Sequence, residues 1–117
     1  MIKELAQRVF QARNIAHSRH WASKSYAEHV ALGAFYDDAI GAIDAVIENY
    51  QGLFGNIGEF TTPIAPPEGN IRSYLSDEAD WMESSLSELS NGSESISNLI
   101  QTLISVYTRT VFLLGLK

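Results

Sequence analysis

Three histidines and two carboxylates are the residues of this chain best suited to chemistry: His17, His20 and His29, followed by Asp44 and Glu48. Imidazole nitrogen combined with carboxylate oxygen makes a hard-to-borderline donor set that suits iron, manganese or zinc. The chain has no cysteine, which excludes thiolate sites, cysteine nucleophiles and disulfides. His29 and Asp44 fall on one long helical stretch, fifteen residues apart, or about 22 Å along a helix axis. They cannot meet within one chain. They can meet across a two-fold axis if this helix packs antiparallel on its own copy with a crossing near Asp37. That register sets His29 beside Asp44 and Glu48 of the second copy, and Gly33 opposite Gly41. His17 lies close enough along the sequence to be a further candidate.

The elements that must position these groups follow from apolar spacing. Ile2, Leu5, Val9, Ala12 and Ala16 recur at helical intervals and predict a helix over 2–21, with His20 on its inward stripe and His17 at the edge. Trp21 reads as core packing at the turn that follows. Ser23 or Ser25 supplies an N-cap for a second helix over 26–51, on which Leu32, Tyr36, Ile40, Ile43, Ile47 and Tyr50 share a stripe with His29. Gly52 to Gly69 holds all three prolines and four of the eight glycines, so it reads as a long crossover rather than a helix. Its reach of up to about 60 Å lets a third helix run parallel to the second. That third helix is expected over 70–90, buried through Ile71, Tyr74, Leu75, Met82, Leu86 and Leu89. Asp77, Glu78, Asp80, Glu83 and Glu88 form its solvated acidic face. Asn91-Gly92 marks a turn, and a last helix over 93–114 follows. The expected fold is all-α, one four-helix-bundle domain over 1–117, with the long crossover between helices 2 and 3.

Charge is unevenly spread. Residues 1–24 carry Lys3, Arg8, Arg13, Arg19 and Lys24 against Glu4 alone, a net +4, and the remainder carries −10, giving −6 overall. The first helix is thus expected to neutralise acidic neighbours, and no nucleic-acid partner is expected of so acidic a domain. No apolar run approaches a membrane span and no signal-peptide core is visible, so the expectation is a soluble, cytoplasmic protein (of the host cell, if phage-encoded) with no membrane partner. An all-α nucleotide pyrophosphatase would want Glu-x-x-Glu pairs for magnesium, and the chain contains none.

The stretch around residues 10–52 resembles the Dps-like mini-ferritins of the ferritin-like superfamily. In that family a His-Trp pair ends the first helix, here His20-Trp21. A second histidine opens the second helix, here His29, and an Asp-x-x-x-Glu step follows fifteen residues later, here Asp44 and Glu48. Short ferritin-like proteins encoded by phages are similar too, with HW, KSYAEH and YQG recurring. The family pattern has an aspartate four residues after the second histidine, where this chain has Gly33. Asp37, one turn further on, is the available substitute. The resemblance implies a metal site, iron above all, shared between two subunits and acting as a ferroxidase. His20 and His29 of one chain would be completed by Asp44 and Glu48 of the other, in a homodimer through helix 2 that can grow into a higher oligomer. The alternative is a non-catalytic ferritin-like bundle used for assembly or interaction, with a degenerate metal site.

Overall fold

Three of the helices begin where short polar side chains satisfy free amides of a first turn. In the computed structural model, which describes residues 1–62 and 69–116, α1 spans Ile2–Ala22 and α2 spans Tyr26–Phe54. Ser25 opens α2 by accepting a hydrogen bond from the Glu28 amide. Asn70 opens α3 (Ile71–Ser84) by accepting from Ser73, and a short α4 (Leu86–Ser90) continues it. Asn91 and Gly92 then turn the chain at φ 52° and 79°, and Ser93 caps α5 (Glu94–Leu114) by accepting from Ile96. The described residues are all helix and irregular connection, with no strand among them. The single third helix expected over 70–90 is interrupted at Ser85. Ser84 Oγ donates back to the carbonyls of Asp80 and Trp81, a competition with the helical ladder that bends helices.

The core gathers Leu5, Val9, Leu32, Phe35, Ile43, Leu75, Met82, Ile96, Ile100, Leu103 and Tyr107, all fully or almost fully buried. Each large aliphatic side chain contributes roughly 1.5–3 kcal/mol by leaving water. On α2 the inward line differs from the expected stripe. Phe35, Ala39 and Val46 are buried with Leu32 and Ile43, whereas Tyr36, Ile40, Ile47 and Tyr50 are half-buried. The reason is that α2 packs on two helices at once. Tyr36 faces the histidines of α1 and Phe35 meets the Tyr107 ring of α5 edge-on at 4.9 Å. The most buried line therefore bisects the two directions.

Contacts at the helix ends fix the chain directions. The start of α2 (Tyr26, Val30) lines one groove with the end of α5 (Leu113, Leu116). The start of α3 meets the same end of α5, where Arg72 Nε donates to the Val111 carbonyl at 2.9 Å. Hence α2 and α3 run parallel, and the segment between them must travel the length of the molecule. Its described first part lies against α1: Gln7 donates to the Thr61 carbonyl, and Phe60 packs on Phe10 with ring centroids 5.5 Å apart. Of the expected crossover, residues 63–68, which include Pro63, Pro66 and Pro67, lie outside the described residues.

The basic first helix meets an acidic neighbour through Arg8. Its guanidinium bonds Glu4 at 3.2 Å and Glu78 at 2.6 Å and lies 3.9 Å above the Trp81 ring. Glu78 therefore faces α1, its side chain only 13% exposed, instead of joining the solvated acidic face. Burial pushes its carboxyl above the ordinary value of 4.5 even though Arg8 pulls the other way. A raised carboxyl holds its proton in the folded chain at pH values where the unfolded chain has released it. Stability contributed by this group therefore falls as pH rises through the window above about 4.5. Glu78→Gln keeps a hydrogen-bond acceptor for Arg8 and removes the titration. Chemical denaturation across that window should show the decline in the wild type and a flatter profile in the variant.

Candidate functional site

The α1–α2 corner is a three-residue turn held by its own serines. Ser23 Oγ donates to the Ser25 carbonyl at 3.1 Å and accepts from the Ser25 amide at 3.2 Å. So tight a turn brings the last turns of α1 against the first turns of α2, and His20 against His29. Their rings stack with centroids 3.7 Å apart and planes 16° from parallel. Each also bonds the other's backbone: His20 Nδ1 lies 2.5 Å from the His29 carbonyl, and His29 Nδ1 lies 2.8 Å from the His20 carbonyl. A carbonyl can only accept, so both Nδ1 atoms carry hydrogen. In the neutral rings this leaves both Nε2 atoms with a free lone pair. The His20 carbonyl lies in the last turn of α1, where a helix leaves its carbonyls unpaired, so His29 acts as a cap for the first helix.

Gly33 makes this possible. It lies one turn beyond His29, and a Cβ built there would come 2.9 Å from Cε1 and 3.2 Å from Nδ1 of His20. The imidazole occupies the space a side chain would fill, so an aspartate at this position is incompatible with the stacked pair. The glycine is explained inside the chain and no longer argues for a close approach to Gly41 of a second copy. Gly41 itself has nothing within 4 Å of an added Cβ.

His17 lies outside the pair. It stacks on Tyr36 at 3.9 Å and 12°, with Trp21 tilted against it at 4.6 Å and the His20 ring 6.3 Å away. Arg13 sits over the other aromatic, 5.5 Å from the Tyr36 centroid. Desolvation, aided by Arg13 and His20, pulls His17 below its ordinary value and so favours the neutral ring. Trp21 is 75% exposed, which corrects the expectation that it packs into the core. It falls on the outer side of the last turn, where α2 has already turned away. Tyr36 and Arg13 are the residues that sequence reasoning passed over as site neighbours. The signal for Tyr36 was its place two turns beyond His29 on one helix line.

The carboxylates are elsewhere. Asp37, Asp44 and Glu48 are exposed on the outward face of α2 with Val30, Ala34 and Gly41. Among the described residues, no group of three or more histidines, aspartates and glutamates is arranged to hold a metal ion within one chain. The chain by itself thus provides an imidazole pair with lone pairs available, and a separate acidic stripe.

Residues 20–114 match a family described as a family of unknown function (DUF5856). The matched segment starts at His20 and includes His29, Asp44 and Glu48, while His17 precedes it. No curated protein and no solved structure matches the chain.

The Gly33–His20 contact can be tested by a change of sign. Gly33→Ala in the wild type should destabilise by about 1 kcal/mol. Displacing the ring loses hydrogen bonds each contributing about 1 kcal/mol, and the better helix propensity of alanine recovers only part. In a His20→Ala background the same Gly33→Ala change should stabilise by roughly 0.5–1 kcal/mol. Urea unfolding of the four proteins reads the cycle. A Gly33→Ala effect of one sign in both backgrounds would show that the imidazole does not dictate the glycine.

Proposed function

We propose a metal-binding role for this chain, which belongs to the DUF5856 family of unknown function: a ferritin-like four-helix bundle that pairs through α2 to build a shared divalent-metal site. In this reading α3 and α4 act as one bent third helix. The parallel run of α2 and α3 is the arrangement of bundles with one long connection.

The observation that carries the proposal is the tautomer of the histidine pair. A metal-ligating histidine nearly always donates its second ring N–H to a carbonyl or carboxylate, which orients the ring and leaves the other nitrogen to bind. His20 and His29 both meet that requirement in the chain alone. Asp44 and Glu48 of a second copy, laid antiparallel across Asp37, complete the donor set. Asp37 is the remaining candidate, and His17, stacked between Tyr36 and Trp21, is the least available of the three imidazoles. The stack adds a constraint. Metal–nitrogen bonds are about 2.0–2.1 Å and lie along the ring plane, so rings stacked at 3.7 Å cannot share one ion. One ion per imidazole needs no rearrangement. A single shared ion requires one ring to leave the stack. Bound iron(II) would be the substrate of a ferroxidase reaction, losing one electron to dioxygen or peroxide.

A second reading has its own support. The reciprocal hydrogen bonds give both histidines a structural task, capping α1 and clasping the corner. A bundle used only for assembly would need them just as they are.

Metal uptake separates the two. His29→Ala and Asp44→Ala should each abolish stoichiometric binding of Fe(II) or Zn(II). Mixing the two variants gives heterodimers in which one site lacks both mutated ligands and the other has all four intact. About half the wild-type capacity should return. Absence of recovery, with both variants still folded and dimeric, would eliminate the shared site.

A further inference from the structure

We infer that the outward face of α5 docks antiparallel on α5 of a second copy, with Asn98 set opposite Ser105 and Glu94 opposite Arg109 of that copy. The contact lies on another helix than the metal-site pairing and shares no residue with it.

The face is unpartnered within the chain and free of charge along most of its length. Glu94, Asn98, Gln101, Ser105, Arg109 and Phe112 are all exposed, and at 100° per residue they fall within about 40° of Ser105 on one stripe. Between Glu94 and Arg109 the chain carries no charged residue, whereas α1, α2 and α3 each expose several. Taking ions out of water is the costly part of burying a polar face, and the centres of interfaces are depleted of them. The hydroxyls are also prepared for burial. Thr102 Oγ1 donates to the Asn98 carbonyl at 3.2 Å, and Ser105 Oγ donates to the Thr102 carbonyl at 2.7 Å. Each hydrogen is thus satisfied inside the helix, while each oxygen keeps lone pairs that can accept.

The occupant follows from register. Glu94 and Arg109 are the acid and the base at the two ends of the charge-free stretch, fifteen residues apart, or about 22 Å. Neither forms an ion pair among the described residues. A parallel copy would set acid on acid and base on base. An antiparallel copy crossing between Gln101 and Thr102 sets each acid level with the other copy's base. The same register brings the Asn98 amide, a donor, level with Ser105 of the second copy, whose oxygen accepts. It also brings Gln101 beside its own copy at the axis, where two amides can donate and accept reciprocally. Phe112, 62% exposed, comes level with the Asn91-Gly92 turn of the second copy, which covers it. A partner of single charge would match one end of the stripe and repel the other. The occupant is therefore a second α5, and each contact away from the axis occurs twice.

The chain has no cysteine, so disulfide trapping reads the register directly. A disulfide needs Cα atoms about 4.4–6.8 Å apart, which facing positions on closely packed helices can meet. Asn98→Cys and Ser105→Cys proteins, mixed and oxidised, should therefore link to each other. Neither should link to itself, because two copies of one position stand about 10 Å out of level along the axis. Both positions are exposed, so the variants should fold, as circular dichroism can verify. Adding Arg109→Glu to both proteins should slow the mixed link about fivefold, and adding Glu94→Arg as well should restore it to within about twofold. No mixed link, or links formed equally by each protein alone, would overturn this inference; a rate indifferent to the charge changes would overturn the ion pair. Sedimentation of the wild type separates this contact from the α2 pairing. A dimer in solution without the mixed link removes the α5 contact and leaves the α2 pairing standing. The mixed link without metal uptake supports the α5 contact and removes the shared site alone. A wild-type monomer at high micromolar concentration would overturn both.

Discussion

The contact on which the corner depends is between an imidazole and a backbone with no side chain. With His20 pressed onto Gly33, the last turn of α1 approaches α2 closely enough for each histidine to reach the other's carbonyl. Two hydrogen bonds and a ring stack then hold the one short connection of the N-terminal hairpin. A methyl group at position 33 would remove the ring's place, and with it the cap on the unpaired carbonyl of His20. The tautomer that frees both Nε2 atoms is a consequence of the same contact. Local packing, ring protonation and any capacity for metal are thus one constraint seen at three levels.

Electrostatics divides the molecule differently from what its composition suggests. Two of the cations in residues 1–24 find partners on other helices. Arg8 goes inward to Glu78 and Trp81, tying α1 to α3 across the core edge. Arg13 lies over the Tyr36 ring beside the histidines. Asp37, Asp44 and Glu48 of α2 instead stand exposed on its outward face. Burial of Glu78 and exposure of Asp44 and Glu48 thus share one cause, the direction each helix presents to the rest.

Much of this architecture was legible in the residues. Ser25, Ser93 and the Asn91-Gly92 turn stand at the observed boundaries, since capping and left-handed turns depend on local chemistry that sequence records directly. The stripe of α1 was likewise readable, through Ile2, Leu5 and Val9. The inward line of α2 was not, because a helix packed on two neighbours buries the bisector of two faces rather than a single stripe. Glu78 and Trp81 were missed for a related reason: an acidic face seen in isolation does not reveal that one of its members meets an arginine from another helix. At the candidate site, the meeting of His20 and His29 followed from the tight turn. Their stacking and the burden carried by Gly33 did not, because they depend on ring orientations set by backbone carbonyls.

The two glycines of α2 lead to different conclusions although their sequence signal is the same. Each costs about 1 kcal/mol of helix stability relative to alanine. At Gly33 the cost is offset within the chain, since the absent side chain admits His20 and the hydrogen bonds that follow. At Gly41 nothing among the described residues offsets it, and the position opens onto the acidic outward stripe. A pair of helix glycines is therefore not one signal of close helix approach. One is consumed by internal packing, and the other stands on the exposed face of α2.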